Sequence, residues 1–176
     1  MTSLYDLLRQ TGPIRRKVFV SYHHELDSAW YNQFATWFGS TLELFANRSL
    51  TEPVDSDDLD YVHRAIRENN IRGTSLTIVL CGYETWKRKC IDWEIGSTLN
   101  MGHGLLGIGL PSAAIQPDGG VRVPDRFLVN FQSGYAPWLS WPPTSEQLMA
   151  SIETAVSRAR NMASDNSLRF MTRNRP

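Results

Sequence analysis

The chain predicts an α/β domain: a five-stranded parallel sheet in the flavodoxin-like order 2-1-3-4-5, with helices on both faces. Three observations predict it. Lys17-Val-Phe-Val-Ser-Tyr22 and Ser75-Leu-Thr-Ile-Val-Leu80 are almost continuously apolar rather than alternating, as strands buried on both faces are. Stretches of helical spacing separate the strand candidates, which is the alternation that parallel pairing and its crossovers demand. Finally, 176 residues suit one such domain and are short for two, and 41% hydrophobic content with six Trp, six Tyr and seven Phe can fill its core.

In chain order, residues 1–15 read as a helical extension, with Leu4, Tyr5, Leu7 and Leu8 on one face and Gly12-Pro13 as the stop. The domain proper is expected over residues 16–163, followed by a basic tail over 164–176. The first strand ends in Ser21-Tyr22-His23-His24. Asp27 is then expected to cap a helix whose aromatic face is Trp30, Phe34, Trp37 and Phe38. A short second strand is expected around Leu44-Phe45-Ala46. An exposed loop from Asn47 to Asp55 leads to a helix capped by Asp55 or Ser56 and striped by Leu59, Val62 and Ile66. Ser75–Leu80 is the third strand, and a helix spans Trp86–Leu99. Leu105–Leu110 is the fourth strand, residues 111–126 a long loop or hairpin, and Phe127-Leu-Val-Asn-Phe131 the fifth strand. A Pro- and Trp-rich link leads to a last helix capped near Thr144 or Ser145 and striped by Leu148, Ile152, Ala155, Val156 and Ala159.

Charge excludes some functions. Eighteen basic and eighteen acidic residues cancel, so no overall field gathers nucleic acid or an anionic membrane. The arginines of the last twenty residues read as a solvated, disordered tail. Two cysteines make neither a disulfide framework nor a zinc signature. No run approaches the ~20 apolar residues of a membrane span, and the N-terminus lacks the order of a secretory signal. A cytoplasmic location is the expectation.

Open sheets of this order bind ligands beyond the carboxyl ends of strands one and three, where the winding reverses. Those ends are Ser21-Tyr22-His23-His24 and Cys81-Gly82-Tyr83, and the second feeds the helix that carries Glu94. At about 100° per residue, Ile91, Ile95 and Leu99 share one side of that helix, Trp86, Cys90 and Trp93 another, and Glu94 lies between. A carboxylate among indole and branched aliphatics is expected to be partly desolvated, either for chemistry or within a structural ion pair.

Other motifs fail on context. Gly102-His-Gly104-Leu-Leu-Gly107 matches a dinucleotide fingerprint in letters, but it follows a helix and opens a strand, so a helix cap and close packing explain it. There is no P-loop pattern and no G-x-S-x-G elbow. Ser-Tyr-His-His at the end of strand one lacks the acids of a phosphate receiver. His23, His24, Glu25 and Asp27 do not complete a metal shell, and no metal is expected.

Together, Lys17-Val-Phe-Val-Ser-Tyr-His-His24, Thr74-Ser-Leu-Thr-Ile-Val-Leu-Cys-Gly82 and Cys90-Ile-Asp-Trp-Glu-Ile-Gly-Ser97 resemble a TIR-like domain, of the branch typified by the Thoeris antiphage TIR protein. The resemblance covers about residues 16–110. It implies a flavodoxin-like TIR fold and NAD as a substrate rather than a bound cofactor. It also implies release of nicotinamide and formation of an ADP-ribose-derived, often cyclic, signalling nucleotide that activates a separate effector after phage infection. Glu94 matches the family's catalytic glutamate, and Ser21, Tyr22 and His23 match the strand end that lines the nucleotide pocket. Tyr83 and Trp86 are the aromatics expected to stack on a planar base. The loop from Asn47 to Asp55 corresponds to one that contacts neighbours in TIR assemblies, although it lacks the Pro-Gly pair of better-known members. Cys90 stands four residues before the glutamate, where many members have it three before.

Two other functions stay open on the sequence: a TIR interaction module without chemistry, and another N-glycosidic-bond enzyme such as a nucleoside deoxyribosyltransferase. A phage-derived trigger and self-association are expected partners of the enzyme; nucleic acid and membrane are not.

Overall fold

The structure, a computed structural model, describes residues 15–46, 61, 65 and 70–176. Its strands are β1 (Arg16–Ser21), β2 (Leu42–Ala46), β3 (Leu76–Cys81), β4 (Gly104–Gly109) and β5 (Trp138–Ser140). All pair in parallel, in the order β2-β1-β3-β4-β5. The helices among the described residues are α1 (His24–Phe38), α2 (Lys89–Asn100), α3 (Asp125–Gln132) and α4 (Ser145–Asn161), with a 3-10 turn at Thr85–Lys87. Residues 1–14 of the expected extension, the loop from Asn47 and nearly all of the helix after it lie outside the described residues.

Side chains that alternate along the strands sort into two main cores, with a smaller cluster of Phe19, Ile71 and Trp93 beside them. Val18, Val20, Leu76, Ile78, Leu80, Leu106 and Ile108 face α1 and α4. Val79, Cys81 and Leu105 face α2 and α3, where Ile91, Ile95, Leu99 and Phe127 cover them. The central strands β1, β3 and β4 are therefore apolar on both sides, which is why they read as nearly unbroken hydrophobic runs. Thr144 closes a capping box with Gln147 at the start of α4, as its sequence foretells. Gly102 takes φ +65° just beyond the last turn of α2, the backbone of a helix stop rather than a phosphate cradle.

Several expectations are corrected. Phe127–Phe131 is helix, not strand: Arg126, Phe127 and Asn130 are buried at helical spacing, and Phe131 is exposed. The fifth strand is three residues within the Pro- and Trp-rich link, at the sheet edge, where nearby prolines remove no needed pairing. Asp27 does not cap α1. His23 does, accepting the Leu26 N–H, and the face that packs inward is Asp27, Tyr31, Phe34 and Phe38. Trp37 stays exposed and stacks on Trp141. The C-terminal tail is ordered against the domain: backbone and amide groups of Asn166, Met171 and Asn174 bond to α2. Net charge read the exposed Arg169 and Arg173 correctly but carries no information on those neutral contacts.

No helix among the described residues is long and apolar enough to cross a membrane.

Candidate active site

β1 hands the chain to the crevice at Ser21, which is buried. Tyr22 follows, held by a stacked Tyr31 ring at 4.5 Å and by the His24 ring at 4.4 Å. At the start of α1, His23 accepts the Leu26 N–H through Nδ1, at 3.3 Å. A neutral imidazole that accepts through Nδ1 carries its proton on Nε2. Burial, reinforced by the Arg88 charge, pulls the His23 pKa down, so the neutral ring is favoured. Its Nε2 is buried without a hydrogen-bond partner among the described residues, 3.9 Å from the Glu84 carboxylate.

From the other side, β3 ends at Cys81, the 3-10 turn follows, and Arg88 occupies the position before α2. Cys90, Ile91 and Glu94 then lie on the face of α2 turned toward β1. Glu94 is only 4% exposed. Its Oε2 accepts the Ser21 hydroxyl at 2.5 Å, a short charge-assisted bond that joins β1 to α2. A cavity of about 130 Å³ opens beside this pair, walled by Tyr22, His23, His24, Glu25, Arg88, Cys90 and Ile91 together with Glu94 itself. Burial and then the Glu94 charge push the Cys90 thiol up, which favours its neutral form in the cavity wall.

Of the residues singled out in the sequence, Ser21, Tyr22, His23 and Glu94 come together here. Tyr83 and Trp86 do not. Tyr83 is 61% exposed and outside the cavity wall. Trp86 lies under the Arg122 guanidinium at 4.2 Å, with Lys87 and Arg175 also within 6 Å of its ring. The reason is local: the 3-10 turn ends at Lys87 and α2 starts afresh at Lys89, so Trp86 is not in helical phase with Cys90 and Trp93.

At this end of the sheet the sequence reading passed over Arg88 and took Asp27 only for a helix cap. Arg88 supplies the cation of the cavity wall; as the middle of a Lys-Arg-Lys run inside the helix expected over Trp86–Leu99, it gave little reason to be singled out. Asp27 is 1% exposed, with Ser112 Oγ at 3.3 Å and Thr85 Oγ1 at 3.5 Å from its carboxylate. A Cβ on Gly82 would come within 2.3 Å of both Asp27 oxygens, so the carboxylate occupies the space that glycine leaves. Burial pushes its pKa up to about 6. Its signal was present: Asp27, Tyr31, Phe34 and Phe38 form a helical stripe in which an acid precedes three aromatics.

Among solved structures, the TIR domains in the structure of the activated Roq1 resistosome directly recognizing the pathogen effector XopQ are similar at 11% identity and a TM-score of 0.39, covering 84% of this chain and 86% of that one. Comparison with curated proteins finds no match. The family model described as Thoeris protein ThsB, TIR-like domain, matches residues 19–115, more than half of the chain and a span that includes Ser21, Glu94 and every residue of the cavity wall. The chain belongs to the ThsB TIR-like domain family.

Proposed function

We propose that the protein is a TIR-type enzyme that cleaves NAD, releases nicotinamide and makes an ADP-ribose-derived, cyclic signalling nucleotide in antiphage defence. The observation that carries the reading is the Glu94 carboxylate, buried between apolar neighbours, oriented by the Ser21 hydroxyl and set beside a cavity. The nicotinamide of NAD is a cationic leaving group. The bond from its ring nitrogen to the ribose C1′ breaks with the electron pair going to nitrogen, so neutral nicotinamide departs without a proton donor. The ribose is left with oxocarbenium character, which a fixed carboxylate in a poorly hydrated site stabilises.

The neighbours suit that role. A Tyr22 ring locked by Tyr31 offers a flat wall to a planar base. His23 is a neutral N–H donor in this tautomer, which fits holding a polar group better than taking a proton. The cavity is below the ~300–1,000 Å³ of sites that enclose a drug-sized ligand, so it suits one small ring such as nicotinamide, with the rest of NAD lying outside it. The adenine can then return to attack C1′, and exclusion of water decides between that closure and hydrolysis. The product's partner is a nucleotide-sensing effector, with a phage-derived trigger and self-association as the means of switching the enzyme on.

The test is incubation of the purified chain with NAD, before and after addition of lysate from phage-infected cells, with chromatography for nicotinamide and each ADP-ribose isomer. Nicotinamide formed by the native chain and not by Glu94→Gln supports the reading. Exchange of nucleobases without nicotinamide release points instead to a deoxyribosyltransferase. Inertness in both conditions with intact self-association points to an interaction module.

A further inference from the structure

The C-terminal segment contacts α2 on the side away from the cavity. Asn166 donates to the Gly96 carbonyl at 3.0 Å and to Asn100 Oδ1 at 2.8 Å. The Met171 N–H donates to Asp92 at 2.9 Å, and the Met171 carbonyl accepts the Trp93 indole N–H at 2.8 Å. Asn174 Oδ1 accepts the Lys89 N–H at 2.9 Å, and the Arg175 N–H donates to the Lys87 carbonyl at 2.9 Å. Contacts at 89, 92, 93, 96 and 100 lie on one face of a helix. Glu94 stands two residues from both Asp92 and Gly96, about 200° round, and so projects toward β1 while the segment grips the opposite face.

Two oddities of α2 find their explanation in this contact. Arg88, at its N-cap position, makes no side-chain cap, and the acceptor missing from the local sequence is supplied by Asn174 from 85 residues away. Gly96 sits mid-helix, where glycine weakens a helix relative to alanine. A Cβ there would meet the Phe170 ring at 2.2 Å, so the glycine opens the recess that Phe170 fills. The same ring lies 4.1 Å from the Arg126 guanidinium, whose Nε bonds to Asp92 at 2.9 Å in a buried pair.

We infer that residues 166–175 are a strap that sets the rotation of α2, and that Phe170 and Asn174 are positioning residues for the Glu94–Ser21 contact. This rests on the catalytic reading of Glu94 for its functional meaning, but its geometry is tested without NAD. A slide or twist of α2 by a fraction of a turn carries the carboxylate away from the Ser21 hydroxyl. The strap resists both motions because it binds the helix at its start, its middle and its last residue.

The test uses the full chain with Asn174→Ala, Asn174→Asp and Phe170→Ala, all made in the exposed or half-exposed C-terminal segment. Three measurements are taken: hydrogen exchange of the α2 amides, the carboxyl carbon resonance of Glu94 (assigned with Glu94→Gln), and kcat and KM for NAD. Asn174→Ala is expected to exchange about fivefold faster over the first turn of α2. Its Glu94 resonance should move toward the position seen in Ser21→Ala, and kcat should fall with KM little changed. Asn174→Asp, which keeps the acceptor, restores all three. Phe170→Ala repeats the displacement through the middle of the helix. A Glu94 resonance that stays at its native position in both weakened variants overturns the inference, whether or not exchange quickens. Should the resonance move while the native chain cleaves no NAD either before or after addition of lysate from phage-infected cells, the strap stands and the enzymatic reading falls.

Discussion

Glu94 and Asp27 are two acids buried at the carboxyl end of one sheet, 4% and 1% exposed, and they differ in what surrounds them. Glu94 takes a short hydrogen bond from Ser21 and borders a cavity, with Arg88 in the same wall. Asp27 is sealed by Gly82, Thr85 and Ser112, and its two hydroxyl contacts are long. One site holds an acid where a ligand can reach it; the other packs an acid against a glycine and two hydroxyls. Burial of a carboxylate therefore does not itself mark chemistry, and the adjoining empty space is what separates the two.

The largest expected effect tests the Glu94 half of that contrast. Glu94→Gln should lower NAD cleavage by at least about a hundredfold, since it removes the fixed charge opposite the ribosyl cation. The melting temperature should change little, because the amide keeps shape and an acceptor for Ser21. Turnover within tenfold of native would take Glu94 out of the mechanism.

Asp27→Asn should act on stability, with a sign set by its raised pKa. The folded state holds the proton up to about pH 6, against the ordinary 3.8. The native chain thus has this stabilisation in full below about pH 4 and loses it as pH rises through 6, a change of about 3 kcal/mol for two pH units. The Asn variant should match the native chain in urea unfolding at pH 4 and exceed it at pH 8. A constant difference across that range would mean that Asp27 does not titrate as described.

Gly82→Ala should come next, costing about 1–3 kcal/mol by crowding the Asp27 carboxylate. Denaturation of Gly82→Ala alone and combined with Asp27→Ala should show the cost shrinking when the carboxylate is absent; simple additivity would place the strain elsewhere. The smallest effect is expected at Ser21→Ala, about tenfold in kcat, from losing one hydrogen bond to a charged group. An unchanged kcat would reduce Ser21 to a packing residue.

Much of the architecture was legible because its signals are local. Val18–Val20 and Leu76–Leu80 announce buried strands through unbroken apolar runs, and Thr144 with Gln147 announces a helix start by hydrogen bonds within three residues. Phe127–Phe131 misled because five residues are too few for a period of two to be told from one of 3.6. The three-residue β5 has almost no pattern of its own, and its place comes from pairing with β4. At the site, the acid between apolar wings pointed to Glu94. The same logic applied to Asp27, Tyr31, Phe34 and Phe38 would have found the second buried acid.

By itself the sequence determined the first four strands, the sheet class and the placing of Glu94 just after the third strand, since hydrophobic period and chain order are properties of neighbours along the chain. The tertiary structure alone decided that Ser21 meets Glu94 across 73 residues, that Trp86 turns away to Arg122, and that a polar tail grips α2. Those contacts join residues far apart in the chain through single hydrogen bonds and ring faces. Such contacts leave no periodicity to read, and they form only once the sheet has brought the elements together.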